Sequence, residues 1–107
     1  MIKSLIIGAG QLGSRHLQGL LKFEKEQLIY VLDPSKNSLN ISKERAQEVE
    51  NNHNLIFIND WDELPTEFDL VIVATGANVR SKVVSKLLTD FKVKNLILEK
   101  ILFQDIN

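Results

Sequence analysis

Cysteine is absent from this sequence of 107 residues, which excludes a disulfide framework and every metal site built on thiolates. Histidine is scarce too: His16 and His53 lie far apart and form neither an H-x-x-x-H nor an H-E-x-x-H pattern. Because these are the spacings typical of zinc sites, we expect no metal site. A chain without cysteine is compatible with a reducing cytoplasm, which is the location we expect.

An excess of charge of either sign is also lacking. Thirteen basic and fourteen acidic residues give a net charge of -1, whereas proteins that bind nucleic acid through phosphate contacts are normally basic. Long apolar runs are missing as well, since the first one is interrupted at Gly8, far short of a signal segment or a membrane span. We therefore expect no nucleic-acid partner and no membrane association. The hydrophobic content of 44% and charged content of 25% are those of an ordinary globular domain.

Short apolar runs rich in Ile, Val and Leu recur along the chain. They are Lys3 to Ile7, Leu28 to Leu32, Leu55 to Ile58, Leu70 to Ala74 and Asn95 to Leu98. Because they do not alternate with polar residues, they predict strands that are covered on both faces.

Helical patterns separate the strands. They span about Leu12 to Phe23, Ser35 to Asn51 and Asn78 to Phe91, with a short turn at Trp61 to Leu64 that Asp60 can cap. The last helix has a broad apolar stripe, with Val79, Val83, Val84, Leu87, Leu88 and Phe91. Strands that alternate with helices predict an α/β fold with a doubly wound parallel sheet, Rossmann-like, with five strands in the order 3-2-1-4-5. Domains of this class usually have a sixth strand, so we expect residues 1–107 to be one domain truncated before that strand.

A glycine motif, GAGQLG at residues 8–13, follows the first predicted strand and opens the first predicted helix. Gly8 permits the tight turn, Gly10 lets a pyrophosphate approach the backbone, and Gly13 allows close packing of helix on sheet. The N–H groups of Gln11 and Leu12 then face the anion, helped by the helix dipole. In this context the motif predicts a dinucleotide site.

The second predicted strand ends at Asp33-Pro34, about twenty residues past the last glycine, where an acid binds the adenosine ribose hydroxyls. A carboxylate there repels a 2′-phosphate, so NAD is expected as the cofactor and NADP is less favoured. Lys36 is evidence in the other direction, because a nearby base can hold a 2′-phosphate. A role for Asp33 as a turn former before Pro34 is the alternative interpretation.

In these residues the chain resembles the Gfo/Idh/MocA family, which is named after glucose–fructose oxidoreductase, inositol dehydrogenase and a rhizopine-catabolism protein. The resemblance depends on four segments: the glycine loop extended to His16, Asp33-Pro34, Val71 to Thr75, and Leu98-Glu99-Lys100. Three positions depart from the family pattern. The family's Thr-Pro-Asn appears here as residues 75–78, Thr-Gly-Ala-Asn; a family histidine is replaced by Arg80; and the proline of Glu-Lys-Pro is replaced by Ile101.

The resemblance implies an NAD(P)-dependent oxidoreductase that acts on the CH–OH group of a sugar, a cyclitol or a nucleotide-sugar. It implies that Lys100 is the catalytic residue and also contacts the cofactor. The further cofactor-binding residues that it implies are Ala74, Thr75, Gly76, Asn78 and Glu99. Arg80 could reach the cofactor or an anionic substrate group, and the alternative is that Arg80 is a surface residue of its helix. For Glu99 and Lys100 the alternative is a solvated pair at the end of a strand.

In the family, a second domain carries the substrate pocket and most oligomer contacts. The resemblance therefore implies that these residues are the N-terminal, NAD(P)-binding part of a longer homo-oligomeric enzyme, inactive as a fragment. A nucleotide-sensing regulatory Rossmann module without catalysis is the alternative function. The Glu99-Lys100 segment favours the oxidoreductase, because a sensor has no need of a lysine at that position.

Overall fold

The computed structural model of the chain describes residues 2–8, 17–22, 27–48 and 54–98. The strands in this part of the chain are β1 (Ile2–Ile7), β2 (Gln27–Leu32), β3 (Asn54–Ile58), β4 (Glu67–Val73) and β5 (Lys92–Leu98). The helical segments are α1 (residues 17–21, as far as it is described), α2 (Lys36–Gln47), the 3-10 turn η1 (Trp61–Glu63) and α3 (Ala77–Asp90). Strands and helices alternate as predicted.

The strands form one parallel sheet in the order β3-β2-β1-β4-β5. Leu5 of β1 shows the register, since it lies opposite Tyr30 of β2 on one side and Val71 of β4 on the other. The predicted doubly wound sheet and its strand order are confirmed. The topological switch point lies between β1 and β4, where the strand order reverses and where folds of this class bind ligands.

Each face of the sheet has its own apolar core, because successive side chains of a strand point to opposite faces. On the face of Ile6 the buried residues come from the strands, α1 and α2, and they are Ile6, Leu17, Leu20, Leu21, Ile29, Val31, Leu39, Ala46 and Ile72. On the face of Leu5 they come from the strands, the segment after η1 and α3, and they are Leu5, Ile7, Leu32, Ile58, Leu64, Phe68, Val71, Val73, Val83 and Leu87. The molecule is therefore a three-layer helix–sheet–helix structure.

Two strands begin earlier than their apolar runs predict. β4 begins at Glu67 and β5 at Lys92, three residues ahead of Leu70 and Asn95 in both cases. The polar residues at these strand starts pair across the ladder, with the Lys92 ammonium 3.9 Å from a Glu67 carboxylate oxygen. Hydrophobicity alone misses such residues because they lie at the solvent-exposed amino edge of the sheet.

The ends of the helical segments follow capping chemistry. Ser35 is the N-cap of α2, with its hydroxyl accepting from the Ser38 N–H at 3.2 Å, so the helix begins one residue later than predicted. Asp60 caps η1 by accepting from the Asp62 N–H at 3.0 Å, which confirms its predicted role.

Coverage of both faces was expected for every strand, and for β5 this is wrong. Ile97 and Leu98 of β5 remain 44% and 47% exposed. The predicted apolar stripe of α3 is also wrong in part. Leu87 is fully buried, but Val79 and Leu88 are 50% and 69% exposed. Within the part of the chain that the structure describes, no element packs over these side chains.

Candidate functional site

Main-chain hydrogen bonds continue past the carboxyl ends of neighbouring strands. These bonds run from the Asp33 N–H to the Ile58 carbonyl (3.2 Å), from the Gly8 N–H to the Leu32 carbonyl (2.8 Å) and from the Ala74 N–H to the Ile7 carbonyl (2.8 Å). They place Asp33, Gly8 and Ala74 side by side, in this order, at one edge of the sheet. Three positions that were predicted from the sequence to bind the cofactor therefore lie together at this edge, beside the switch point between β1 and β4.

Gly8 occupies a position that only glycine fits. Its φ of +102° lies in the left-handed region, which L side chains rarely adopt. A Cβ at this position would lie 2.6 Å from the Ala74 carbonyl oxygen and 3.4 Å from Cγ2 of Thr75. The start of the glycine loop thus contacts the β4 end directly, with no room for a side chain between them.

Thr75 places a polar atom beside that contact. Its Oγ1 is buried and has no hydrogen-bond partner in the described residues, while its methyl carbon faces Gly8. A buried hydroxyl without a partner costs free energy, and in native proteins it often marks a group that a ligand or water satisfies. The hydroxyl is therefore available to a ligand at the switch point.

The first turn of α3 begins directly after Thr75. Gly76 is its N-cap, and among the described residues no side-chain hydrogen bond caps this end of the 14-residue helix. The carbonyl of Gly76 accepts from Val79 and Arg80 at 3.1 and 3.0 Å, and Asn78 lies in this first turn. The uncapped N–H groups and the helix dipole favour an anion at this end of the helix.

The Asp33 carboxylate is oriented by the turn that follows it. Its Oδ1 accepts from the Ser35 N–H at 2.8 Å, so the turn-forming role considered for Asp33 is present. A carboxylate has about four acceptor positions, so this bond is compatible with ligand binding. Ser35 was not predicted from the sequence as a partner of Asp33, although the Asp-Pro-Ser sequence is a typical Asx-turn signal.

Several predicted site residues lie outside the described residues. They are Gly10, Gln11, Leu12 and Gly13 of the glycine loop, together with Glu99 and Lys100 after β5. Gly8, Asp33, Ala74, Thr75 and Gly76 are described and lie at one edge of the sheet, and the backbone of Asn78 lies beside them.

Two further properties concern the described residues, 2–8, 17–22, 27–48 and 54–98. No group of three or more His, Cys, Asp or Glu side chains that could hold a metal ion occurs there. None of the helices described is both long enough and apolar enough to cross a membrane.

Comparison with known families gave one match. The model of the GFO_IDH_MocA family, described as "Oxidoreductase family, NAD-binding Rossmann fold", matches residues 2–105. Comparisons with curated proteins and with solved structures found no match. The matched range covers nearly the whole chain, including the glycine motif, Asp33 and the segment from Ala74 to Asn78.

Proposed function

We propose, because this chain belongs to the Gfo/Idh/MocA oxidoreductase family, that it binds the nicotinamide cofactor of an enzyme acting on a sugar, a cyclitol or a nucleotide-sugar. The family is one of oxidoreductases, and the domain is an NAD-binding Rossmann domain. The substrate class is a further proposal, which rests on the family resemblance. The bound dinucleotide would supply the hydride acceptor or donor at its nicotinamide ring.

The observation that carries the proposal is the contact of Gly8 with Ala74 beside the orphaned Thr75 hydroxyl. In a dinucleotide fold the first glycine of the loop allows the tight turn out of the first strand, and Gly8 makes that turn directly against Ala74. The Thr75 hydroxyl can donate to a phosphate or ribose oxygen, and the uncapped end of α3 favours negative charge. The residues present therefore fit a dinucleotide that extends across the carboxyl edge from β2 to β4.

We assign the adenosine end of the cofactor to β2, because Asp33 follows that strand. Its carboxylate would accept from the ribose hydroxyls and repel a 2′-phosphate, which favours NAD over NADP. Lys36, the first residue of α2, is exposed and lies three residues away. A solvated role for this lysine is consistent with an NAD preference.

The test is a titration of the chain with NADH and with NADPH, for the unmodified protein and for Asp33→Ala. Loss of the carboxylate should weaken NADH binding by about tenfold, as expected for a charge-assisted hydrogen bond, and narrow the preference over NADPH. Asp90→Ala, at the far end of α3, is the control and should change neither affinity. Equal binding of both cofactors by the unmodified chain would show that the role given to Asp33 is wrong.

The remaining parts of the proposal concern the intact enzyme. We assign catalysis to Lys100 and further cofactor contacts to Glu99 and to the glycine-loop residues, as the resemblance implies. The substrate domain and homo-oligomer contacts would come from sequence outside residues 1–107, and the cytoplasm is the proposed location, in keeping with the cysteine-free composition. Mixed with NAD and a panel of sugars and cyclitols, this chain alone should produce no NADH, and measurable turnover would contradict that assignment.

A further inference from the structure

The residue that follows β2 is held by two separate hydrogen bonds. The main-chain N–H of Asp33 donates to the Ile58 carbonyl at 3.2 Å and fixes where the residue lies. Its carboxylate accepts from the Ser35 N–H at 2.8 Å, and this second bond fixes which way the carboxylate points. Pro34 and Ser35 are exposed, so apolar burial does not hold the turn, and the direction of the carboxylate depends on what holds Ser35.

Ser35 is held in turn by the helix that it caps. Its backbone is extended, with φ of -89° and ψ of 114°, and its hydroxyl accepts from the Ser38 N–H at 3.2 Å. The Ser35 carbonyl accepts from the Leu39 N–H at 3.1 Å. Leu39 is 6% exposed and belongs to the apolar core under α2. A continuous set of contacts therefore runs from this core, through Ser35, to the Asp33 carboxylate.

The hydroxyl of Ser35 is the side-chain cap of α2. The first N–H groups of a helix lack partners within the helix, and a serine at the N-cap satisfies one of them where alanine cannot. No acidic side chain lies in the first turn of α2, and Lys36 places a positive charge where the helix dipole disfavours it. Without the hydroxyl, the first turn should unwind in a fraction of the molecules and release the Ser35 N–H that orients the carboxylate.

We infer that Ser35 is a positioning residue for cofactor selection, because its hydroxyl holds the turn that aims the Asp33 carboxylate. This inference rests on the proposed function, in which that carboxylate accepts from the ribose hydroxyls of NAD and repels a 2′-phosphate. A carboxylate that is correctly oriented in only a fraction of the molecules lowers the affinity for NADH in proportion to that fraction. The same loss of orientation weakens the repulsion of NADPH, so the preference between the two cofactors narrows.

The experiment titrates NADH and NADPH into the unmodified chain, Ser35→Ala and Ser35→Thr by calorimetry, at a temperature at which circular dichroism shows all of them folded. Ser35→Ala should lower the NADH affinity about threefold, at the lower end of what loss of an N-cap costs, and change the NADPH affinity by less than about twofold. Ser35→Thr should restore the preference, because threonine also caps helices. Glu44→Gly is the matched control: it weakens α2 at an exposed residue away from the cap and should leave the preference unchanged.

A second measurement places Ser35→Ala in the Asp33→Ala background. There it should change the NADH affinity by less than about 1.5-fold, because the hydroxyl acts through a carboxylate that is no longer present. A merely structural role for Ser35 would weaken NADH and NADPH by the same factor in both backgrounds, and that result would overturn the inference. An effect of Asp33→Ala on NADH binding without one of Ser35→Ala would overturn the inference alone. Failure of the unmodified chain to bind NADH, or an Asp33→Ala chain that binds it equally well, would overturn the proposed role of the site as well, so the two failures are distinguishable.

Discussion

Replacing Gly8 by alanine tests the central contact of the site. The substituted residue keeps a backbone φ of +102°, which costs an L residue about 1–2 kcal/mol. Its Cβ would lie 2.6 Å from the carbonyl oxygen of Ala74, and such overpacking costs about 1–3 kcal/mol more. The Ala74 residue cannot simply move away from Gly8, because its N–H is bonded to the Ile7 carbonyl at 2.8 Å. The free energy of unfolding should therefore fall by roughly 2–5 kcal/mol.

The assay is reversible urea or thermal unfolding followed by circular dichroism. For a domain of this size the loss corresponds to a midpoint lower by at least about 8 °C. Gly19→Ala is the matched control, since Gly19 is an exposed helical residue with no atom within 4 Å of the added Cβ. That substitution should stabilise the chain by about 0.5–1 kcal/mol through helix propensity. A Gly8→Ala protein within about 0.5 kcal/mol of the unmodified chain would refute the reasoning, because ordinary surface substitutions have effects of that size.

Two further predictions concern stability away from the site. Ser42 of α2 is fully buried, and its hydroxyl has no partner in the described residues, so Ser42→Ala should raise the free energy of unfolding by about 1 kcal/mol. Ser81→Ala on α3 is the control: Ser81 is exposed, so the free energy of unfolding should rise by less. A Ser42→Ala protein that is less stable than the unmodified chain would mean that the Ser42 hydroxyl has a hydrogen-bond partner. The hydrogen bond from the Lys3 N–H and the Lys94 ammonium hold the pKa of Asp69 below its ordinary value of 3.8; the stability that this adds is present above that pH and is lost as the pH falls through the lowered pKa. When the pH is lowered from about 6 to about 2, the urea midpoint of the unmodified chain should fall more steeply than that of Asp69→Asn. An identical pH dependence of the two urea midpoints would contradict this prediction.

The order of strands and helices was predictable because it follows from the hydrophobic pattern of the sequence. Runs such as Leu28 to Leu32 lie in the middle of the sheet, where burial on both faces imposes the apolar pattern, and from the alternation with helices the strand order followed. The starts of β4 and β5 were not predictable in this way. Glu67 and Lys92 are strand residues because they pair with each other across the ladder, and such a contact between distant segments leaves no local trace.

Some residues of the candidate site can likewise be predicted from the local sequence, whereas others depend on contacts between distant segments. Gly8 and Asp33 are recognisable because each follows a strand and has a residue type that its local backbone or ligand demands. Thr75 was identified only through family resemblance, and its buried, unpartnered hydroxyl becomes apparent only when β1 and β4 lie together.

Main-chain hydrogen bonds continue past the strand ends at Gly8, Asp33 and Ala74. They determine which of these three residues can be replaced. They are made by main-chain atoms, so an exchange of the Asp33 side chain removes its bond to the Ser35 N–H but keeps the main-chain bond to Ile58. In terms of the proposed function, exchanging the residue after β2 would change the contact with the adenosine ribose and leave this main-chain ladder in place. Gly8 has no such freedom, because its positive φ and its contact with Ala74 exclude a side chain. The edge of this sheet therefore combines a position that accepts only glycine with a position after β2 whose side chain can vary.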